Sequence, residues 1–386
     1  MTAVMARPSH WGKTPDMKPA AITSVDFNQA PFLVIWEVTR ACALACVHCR
    51  ADAIARRDPR ELTTGEGRRL IDQVRAITPR PLFVLTGGDP MRRPDLADLV
   101  RYASDAGLTV ALTPSGTVAA TRERLAALKN AGLSRIAVSL DGPTPETHDA
   151  FRRVRGSYAW TMRIIDAAIE LGLPLQINST VCKMTLPHLD AMATRMAELP
   201  LTLWALFFLI QTGRGTGLEQ ITADECERVL NDLYDLSLTV PFGIKTTEAP
   251  HYQRIVRQRD AARVKRGLPT DAVNRTRQLR APRSVSDGNG FVFVDHLGNI
   301  CPSGFLPAPR GNVRSTDLGE VYRGDEMFRR LRHADGLFGK CGRCQFRDVC
   351  GGSRARAFAA TGAVMGSDPL CAYEPGPHVE TPVGRV

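Results

Sequence analysis

Residues 32–49 read FLVIWEVTRACALACVHC, a run of apolar and β-branched residues that passes directly into three closely spaced cysteines. The run from Phe32 to Val38 predicts a buried strand, because β-branched and aromatic side chains pack well on a pleated surface. The cysteines at 42, 46 and 49 follow it with the spacing C-x3-C-x2-C. Parallel α/β proteins place their chemistry where strands end, so this stretch predicts the fold and a site together.

Five further runs of the same kind predict strands at Leu82–Leu85, Leu108–Leu112, Ile136–Leu140, Leu175–Val181 and Leu203–Ile210. Helix start signals lie between them: Thr63 with Glu66, and Thr222 with Glu225, have the spacing of a capping box. Six βα units in succession predict a parallel sheet, because parallel neighbours need helical crossovers. A doubly wound sheet and a barrel both satisfy this alternation, and periodicity alone does not separate them.

The alternation ends near Pro250, and the remaining chain has a different composition. Residues 291–301, FVFVDHLGNIC, predict a hairpin with Gly298-Asn299 in its turn. The Gly-, Pro-, Arg- and Cys-rich tail beyond it cannot build a large core and needs a metal staple. We therefore predict four regions: an N-terminal extension over 1–29, a core over 30–250, a basic helix and linker over 251–284, and a small domain over 285–380.

Positive charge is concentrated in one segment of the 386-residue chain. The formal net charge is +10, and residues 254–283 contribute +8 of it, from ten Lys or Arg and two Asp. A solvated helix and linker explains this segment, and a rim that attracts anions is the alternative. The segment lacks interleaved aromatic residues and a recognised nucleic-acid motif, so nucleic acid is not an expected partner.

The N-terminal twenty residues lack the apolar core of a signal peptide. No run approaches the ~20 apolar residues of a membrane-spanning helix. These features predict a cytoplasmic protein with no membrane partner. In the reducing cytosol, clustered cysteines usually serve metals or catalysis rather than disulfides.

The first three cysteines are soft ligands that suit either an iron–sulfur cluster or zinc. A four-iron cluster is usually held by four cysteines, so three local ligands would leave one iron open. A zinc site with His48 or His148 as fourth ligand is the other interpretation, although zinc sites more often use paired C-x2-C spacing.

The triplet after Val38-Thr39-Arg40, together with Gly87-Gly88-Asp89-Pro90 after the second strand, resembles the radical S-adenosylmethionine (SAM) superfamily. Weaker matches follow at Thr113-Pro-Ser-Gly116, Ser139-Leu-Asp-Gly142 and His148-Asp-Ala-Phe-Arg152. The resemblance extends over nearly the whole chain from about residue 30. It implies a radical SAM oxidoreductase with an α/β fold, a partial (β/α)6 TIM-like barrel followed by a small Cys-rich SPASM/twitch domain.

The resemblance also implies roles for individual residues. Cys42, Cys46 and Cys49 would hold a [4Fe–4S] cluster whose open iron binds SAM, with the electron coming from a flavodoxin- or ferredoxin-type donor. The implied SAM contacts are His48, Gly87, Gly88, Asp89, Ser115, Ser139 and Arg152. Of these, His48 would pack by the adenine and Arg152 would pair with the carboxylate. The family more often has Gly-Gly-Glu, and Asp89 is one methylene shorter.

The second group, Cys341-x2-Cys344-x5-Cys350 followed by Cys371, resembles the SPASM/twitch auxiliary domain. Full SPASM domains have seven cysteines for two clusters, so the shorter set implies one auxiliary [4Fe–4S] cluster held by these four. Cys301 either stays free or replaces one of them, and a four-cysteine zinc ribbon remains an alternative. The isolated Cys182 and Cys226 are predicted to be buried small hydrophobic residues.

The tail from Cys350 to Phe358, with Asp368-Pro-Leu-Cys371, is similar to the haem-forming subgroup, whose members remove or shorten carboxylate side chains of iron porphyrins. This similarity implies hydrogen abstraction from a haem or tetrapyrrole precursor, with decarboxylation of its side chains. A peptide or protein maturase of the SPASM class, with a peptide substrate, is the alternative. A non-catalytic zinc or iron–sulfur protein is the third. His251 and His296 are expected to be surface residues.

Overall fold

The computed structural model describes residues 25–268 and 285–376. Seven strands occur in order along the first of these ranges: β1 (Leu33–Glu37), β2 (Leu82–Thr86), β3 (Thr109–Leu112), β4 (Leu133–Ser139), β5 (Leu175–Val181), β6 (Leu203–Phe208) and β7 (Gly243–Thr247). All six predicted strands are confirmed. The seventh strand, GIKTT, escaped prediction because its one apolar residue gives no hydrophobic run.

Each of these strands pairs in parallel with the next one in the chain. Within the described residues the sheet has ten strands in the order β10-β9-β8-β1-β2-β3-β4-β5-β6-β7. A doubly wound sheet reverses its strand order at a switch point, and the run from β1 to β7 has no reversal. Since such crossovers share one hand, their helices lie on one face of the sheet. The sheet is therefore that of a partial barrel.

Eight helices accompany these strands: α1 (Thr64–Ala76), α2 (Leu96–Asp105), α3 (Arg122–Asn130), α4 (Pro145–Arg152), α5 (Ser157–Glu170), α6 (Leu189–Ala197), α7 (Ala223–Ser237) and α8 (His251–Lys265). Short 3-10 turns lie at Pro90–Arg92, Leu186–His188 and Gly213–Gly217. Both predicted capping boxes are present, with Thr63 and Glu66 starting α1, and Thr222 and Glu225 starting α7. These boxes satisfy backbone N–H groups that the first turn leaves unpaired.

The two faces of the sheet differ in chemistry. Alternate residues such as Trp36, Phe83 and Trp204 are buried in one large hydrophobic core with the helices. The intervening residues on the other face include Thr86 and Asn178, which remain partly exposed although they lie on central strands. Side chains fill the interior of a complete TIM barrel. Here several side chains of the inner face remain partly exposed, so solvent reaches the interior of the partial barrel.

The C-terminal part continues the same sheet. Strand β8 (Phe291–Val294) pairs in parallel with β1, and β9 (Asn299–Cys301) and β10 (Gly311–Asn312) follow in antiparallel order. The predicted hairpin is confirmed, with Gly298 at φ 85°. Four short helices complete the described chain: α9 (Leu318–Gly324), α10 (Glu326–Arg332), α11 (Gly339–Gly342) and α12 (Arg354–Thr361). A 3-10 turn lies at Ala334–Gly336.

The basic segment is only partly described, because residues 269–284 and four of its cations lie outside the described residues. Most of the remaining cations lie on α8. Arg254 is buried and pairs with Glu227, and Arg259 pairs with Asp235. The expected solvated helix is therefore found only in part: Arg254 and Arg259 contact α7, whereas Arg257, Lys265 and Arg266 are exposed. The predicted N-terminal extension also lies mostly outside the described residues.

Candidate active site and auxiliary cysteine cavity

The first three cysteines lie on the loop between β1 and α1, and the turn after β2 presses against that loop. The Gly88 amide donates a hydrogen bond to the Thr39 carbonyl oxygen at 2.7 Å. A Cβ atom on Gly88 would lie 2.5 Å from the Arg40 carbonyl oxygen, so this approach requires glycine. The Gly87-Gly88 pair thus positions the cysteine loop, a role that the sequence alone did not reveal.

Each sulfur in this loop accepts one hydrogen bond from an N–H group: from Leu44 to Cys42 at 3.3 Å, from Ala53 to Cys49 at 3.4 Å, and from the Arg152 guanidinium to Cys46 at 3.6 Å. None of the three is in a disulfide. Burial raises the pKa of the Cys42 thiol, so a thiolate there needs a bound cation. Hydrogen bonds to sulfur stabilise thiolate ligands, and the donor set therefore fits an iron–sulfur cluster.

Asp89 is buried behind the same turn, where its carboxylate joins two loops. It accepts from the Met91 amide at 3.1 Å and from Thr117 Oγ1 at 2.7 Å. Ser115, on the loop after β3, donates its hydroxyl to the Gly88 carbonyl and lies 3.6 Å from Cys42 Sγ. The aspartate at this position is explained by its capping of the Pro90–Arg92 turn, since Asp is a preferred N-cap.

Arg152 and Asp141 form a buried ion pair beside the cysteine loop. Asp141 also accepts the Thr180 amide at 2.6 Å. Burial opposes ionisation of Asp141, yet the adjacent Arg152 lowers its pKa below the usual value. The pair therefore keeps a positive guanidinium close to Cys46. Sequence reasoning singled out Arg152 but assigned no role to Asp141.

His48 stacks on Phe151, with ring centroids 4.4 Å apart and ring planes at 17°. Burial, and then the charge of Arg152, lower the pKa of His48 to about 3, so its ring is neutral at pH 7. His148, the other histidine considered for zinc, instead accepts the Asp141 amide at 3.2 Å. Ser139 ends β4 and is half-buried on the inner face of the sheet.

Cys301 lies apart from the other C-terminal cysteines, at the end of β9. Its neighbours include Glu37 and Arg50, which form an ion pair at 2.5 Å, and His296 lies 3.1 Å from Glu37. Burial raises the pKa of the Cys301 thiol to about 12, so it is neutral. His296 is buried, and the expectation of a surface residue is wrong because it partners a carboxylate inside the barrel.

The other four C-terminal cysteines line one partly open cavity: Cys341, Cys344, Cys350 and Cys371. None forms a disulfide. Arg254 and Tyr373 also line the cavity, with the guanidinium 4.7 Å from the ring centroid. Four reduced thiols around one space are a donor set that fits an iron–sulfur cluster. Across residues 25–268 and 285–376, no three His, Cys, Asp or Glu side chains converge as they would around a single metal ion.

A buried charge network holds the wall of this cavity. Asp368 lies 3.2 Å from both Arg356 and His251, and all three are buried. His251 opens α8 and contacts Cys371, whose pKa is lowered by that histidine although burial opposes the shift. The expectation that His251 is a surface residue is wrong, because Asp368 supplies a buried partner. Cys182 and Cys226 are buried, as predicted.

No helix within the described ranges has the length and hydropathy that a membrane-spanning segment needs.

Comparison with known proteins identifies the family. The domain family described as the radical SAM superfamily matches residues 36–193. The AdoMet-dependent heme synthase of Oleidesulfovibrio alaskensis (strain ATCC BAA-1058 / DSM 17464 / G20) is 41% identical over 92% of this chain and 90% of its own. The enzyme of that name from Methanosarcina barkeri (strain Fusaro / DSM 804) is 38% identical over 91% of this chain and 99% of its own.

Among solved structures, Streptococcus suis SuiB bound to precursor peptide SuiA shares the fold, with a TM-score of 0.67 over 89% of this chain and 76% of that chain, at 15% identity. The family implies SAM, a [4Fe–4S] cluster and an electron donor. The protein therefore belongs to the radical SAM superfamily of enzymes and is similar to its haem-forming members.

Proposed function

We propose that this enzyme removes carbon dioxide from propionate side chains of an iron porphyrin in a haem-forming reaction. The observation that carries the proposal is the similarity to two AdoMet-dependent heme synthases over nine-tenths of this chain. The partly exposed polar side chains on the inner face of the barrel, such as Thr86 and Asn178, are consistent with a substrate that bears several carboxylates.

Within this proposal, Cys42, Cys46 and Cys49 hold the [4Fe–4S] cluster that binds SAM. If bound, the cluster and SAM would supply a deoxyadenosyl radical that takes one hydrogen atom from the propionate. Loss of carbon dioxide, and of one electron to an external one-electron acceptor, would then leave a vinyl group. The N–H donors to the three sulfurs support the cysteine assignment. A low-potential donor of flavodoxin or ferredoxin type supplies the initiating electron.

The residues around the loop would position SAM. His48 offers a neutral ring suited to packing by the adenine, and Ser139 faces the interior from the end of β4. Ser115 lies between Gly88 and Cys42.

The other residues of this set have different roles. Asp89 and Gly87 fix the loops. Arg152 balances negative charge at Cys46, and its buried Nε has no partner among the described residues.

We further propose that Cys341, Cys344, Cys350 and Cys371 hold one auxiliary [4Fe–4S] cluster, because they line one cavity. Cys301 is left out of this set, because it lies at the end of β9 and does not line that cavity. The corresponding functional regions are a radical SAM core over 30–250 and an auxiliary domain over 285–380.

The proposal is tested with anaerobically reconstituted full-length protein, SAM and reductant. We expect iron–coproporphyrin III to stimulate deoxyadenosine release strongly. The porphyrin should lose carbon dioxide in proportion to the deoxyadenosine released. Wild-type protein without porphyrin gives the basal rate. Release that is unchanged by porphyrin but stimulated by a peptide would overturn the proposal in favour of a maturase.

A further inference from the structure

One row of side chains crosses the inner face of the barrel near its carboxyl end. The parallel register pairs Ser139 with Asn178, Asn178 with Ala205, and Ala205 with Lys245. Directly paired residues in a parallel sheet project to the same face. Ile244, the neighbour of Lys245, belongs to the hydrophobic core with the helices, so Lys245 projects to the interior. Lys245 thus shares its row with Ser139, a proposed SAM contact.

Lys245 is an exposed cation within a concave surface. Its side chain is accessible to solvent, yet desolvation by the surrounding protein lowers the pKa of its ammonium group. Lys245 lies on β7, the last strand of the sheet, so its side chain can contact solvent at the edge of the barrel interior. No described residue forms an ion pair or hydrogen bond with it. Two residues further along β7, on the same face, Thr247 has a buried hydroxyl that also lacks a partner among the described residues.

A second unpaired cation lies deeper on the same face. Arg135 of β4 pairs in register with Ala111 of β3. Arg135 precedes Ala137 by two residues, so the two side chains project to the same face of the sheet. Its Nε is buried without a hydrogen-bond partner in the described part of the chain, and desolvation lowers its pKa. Three strand spacings separate β4 from β7, or about 14 Å along the sheet. The two cations therefore cannot bind the same carboxylate.

Other charged groups near this interior have partners. Glu37 pairs with Arg50 and His296, and Asp141 pairs with Arg152. A partly desolvated cation without a counterion costs free energy, which an anionic ligand would recover. Lys245 and Arg135 differ from their charged neighbours in this respect, and both project to the inner face of the barrel.

We propose that Lys245 together with Thr247 binds one carboxylate of the substrate inside the barrel, and that Arg135 binds a second carboxylate deeper in the interior. The inference rests on the proposed function, since it assigns recognition of a rigid polycarboxylate to named residues. A flat porphyrin with several propionates presents carboxylates at fixed, well-separated positions. Charge-assisted hydrogen bonds at two such positions would fix which side chain lies near the SAM site.

The experiment measures binding of iron–coproporphyrin III to reconstituted full-length protein by anaerobic absorbance titration. We expect Lys245→Gln and Arg135→Gln each to raise Kd about tenfold or more, because each removes a charge-assisted hydrogen bond. Lys245→Arg keeps the charge and should recover part of the loss. Lys265→Gln, which removes the same charge from the exposed end of α8, is the matched control and should bind like wild type.

A second probe is the same porphyrin esterified at its carboxylates. We expect the ester to bind wild type and Lys245→Gln with equal Kd, because the contact depends on the carboxylate charge. If wild type binds the free acid and Lys245→Gln binds it equally well, the carboxylate site is wrong and the proposed function stands. If wild type binds neither porphyrin, the proposed function fails, and this inference fails with it.

Discussion

The two groups of cysteines are built in different ways. The first occupies residues 42–49 on a single loop, and backbone amides within or beside that loop donate to two of its sulfurs. The second extends from Cys341 to Cys371, and its cavity wall depends on Asp368 paired with Arg356 and with His251 from the start of α8. The compact motif is thus stabilised largely by hydrogen bonds from its own loop. The dispersed motif depends instead on charged side chains from distant parts of the chain.

The largest expected effect separates the two groups by activity. Cys42→Ala should lose the iron assigned to the first site. Deoxyadenosine release should then be abolished, because SAM binding depends on that cluster. Cys371→Ala should lose auxiliary iron while retaining substrate-independent deoxyadenosine release. Iron and sulfide analysis with product quantification measures both.

Cys182→Ala is the control for these variants, since Cys182 is a buried free thiol that belongs to neither group and packs with Phe151 and Leu209. This variant should keep both clusters. Equal loss of basal release in Cys42→Ala and Cys371→Ala would contradict the functional separation.

A smaller effect is expected on stability at the second group. Asp368→Asn leaves buried Arg356 without its counterion and should lower the free energy of unfolding by about 3 kcal/mol. Urea denaturation of the metal-free protein measures this. Glu374→Gln removes an exposed partner of Lys340 and should change stability by less than about 1 kcal/mol.

The same pair has a defined pH dependence. Burial opposes ionisation of Asp368, but Arg356 and His251 hold its pKa below the usual value. Its contribution is therefore present above the unfolded-state pKa of about 4 and is lost as the pH falls below it. The stabilities of wild type and Asp368→Asn should converge under acid; a constant difference down to pH 2 would contradict this.

The smallest expected effect concerns His48 at the first group. Its folded-state pKa is about 3, so the unfolded chain binds a proton at higher pH than the folded protein does. Stability should fall as the pH drops from about 6.5 towards 3, and by pH 5 the His48 contribution should reach about 2 kcal/mol.

His48→Gln should remove this part of the acid sensitivity in urea unfolding measured at pH 5 and 7, whereas exposed His333→Gln should not. Identical pH profiles for wild type and His48→Gln would show that His48 is not held neutral.

Much of the barrel was predictable because its strands are apolar runs between capped helices. Six strands, two capping boxes and the hairpin were found in this way. Strand β7 was missed, since Gly243, Lys245 and Thr247 face a polar interior and leave no hydrophobic pattern. Asp141 and Asp368 were missed as well, because their partners Arg152 and Arg356 are recognisable only once the chain has folded.

The sequence by itself determined the strand–helix alternation, the two cysteine spacings and the family, because these depend on local composition and short intervals. Only the tertiary structure decided that the strands wind sequentially, that β8 extends the sheet beside β1, and that Cys301 is separate from the other four cysteines. The same is true of Lys245, which has no partner among the described residues. Strand order, burial and counterions depend on which distant residues meet, and no local pattern specifies those contacts.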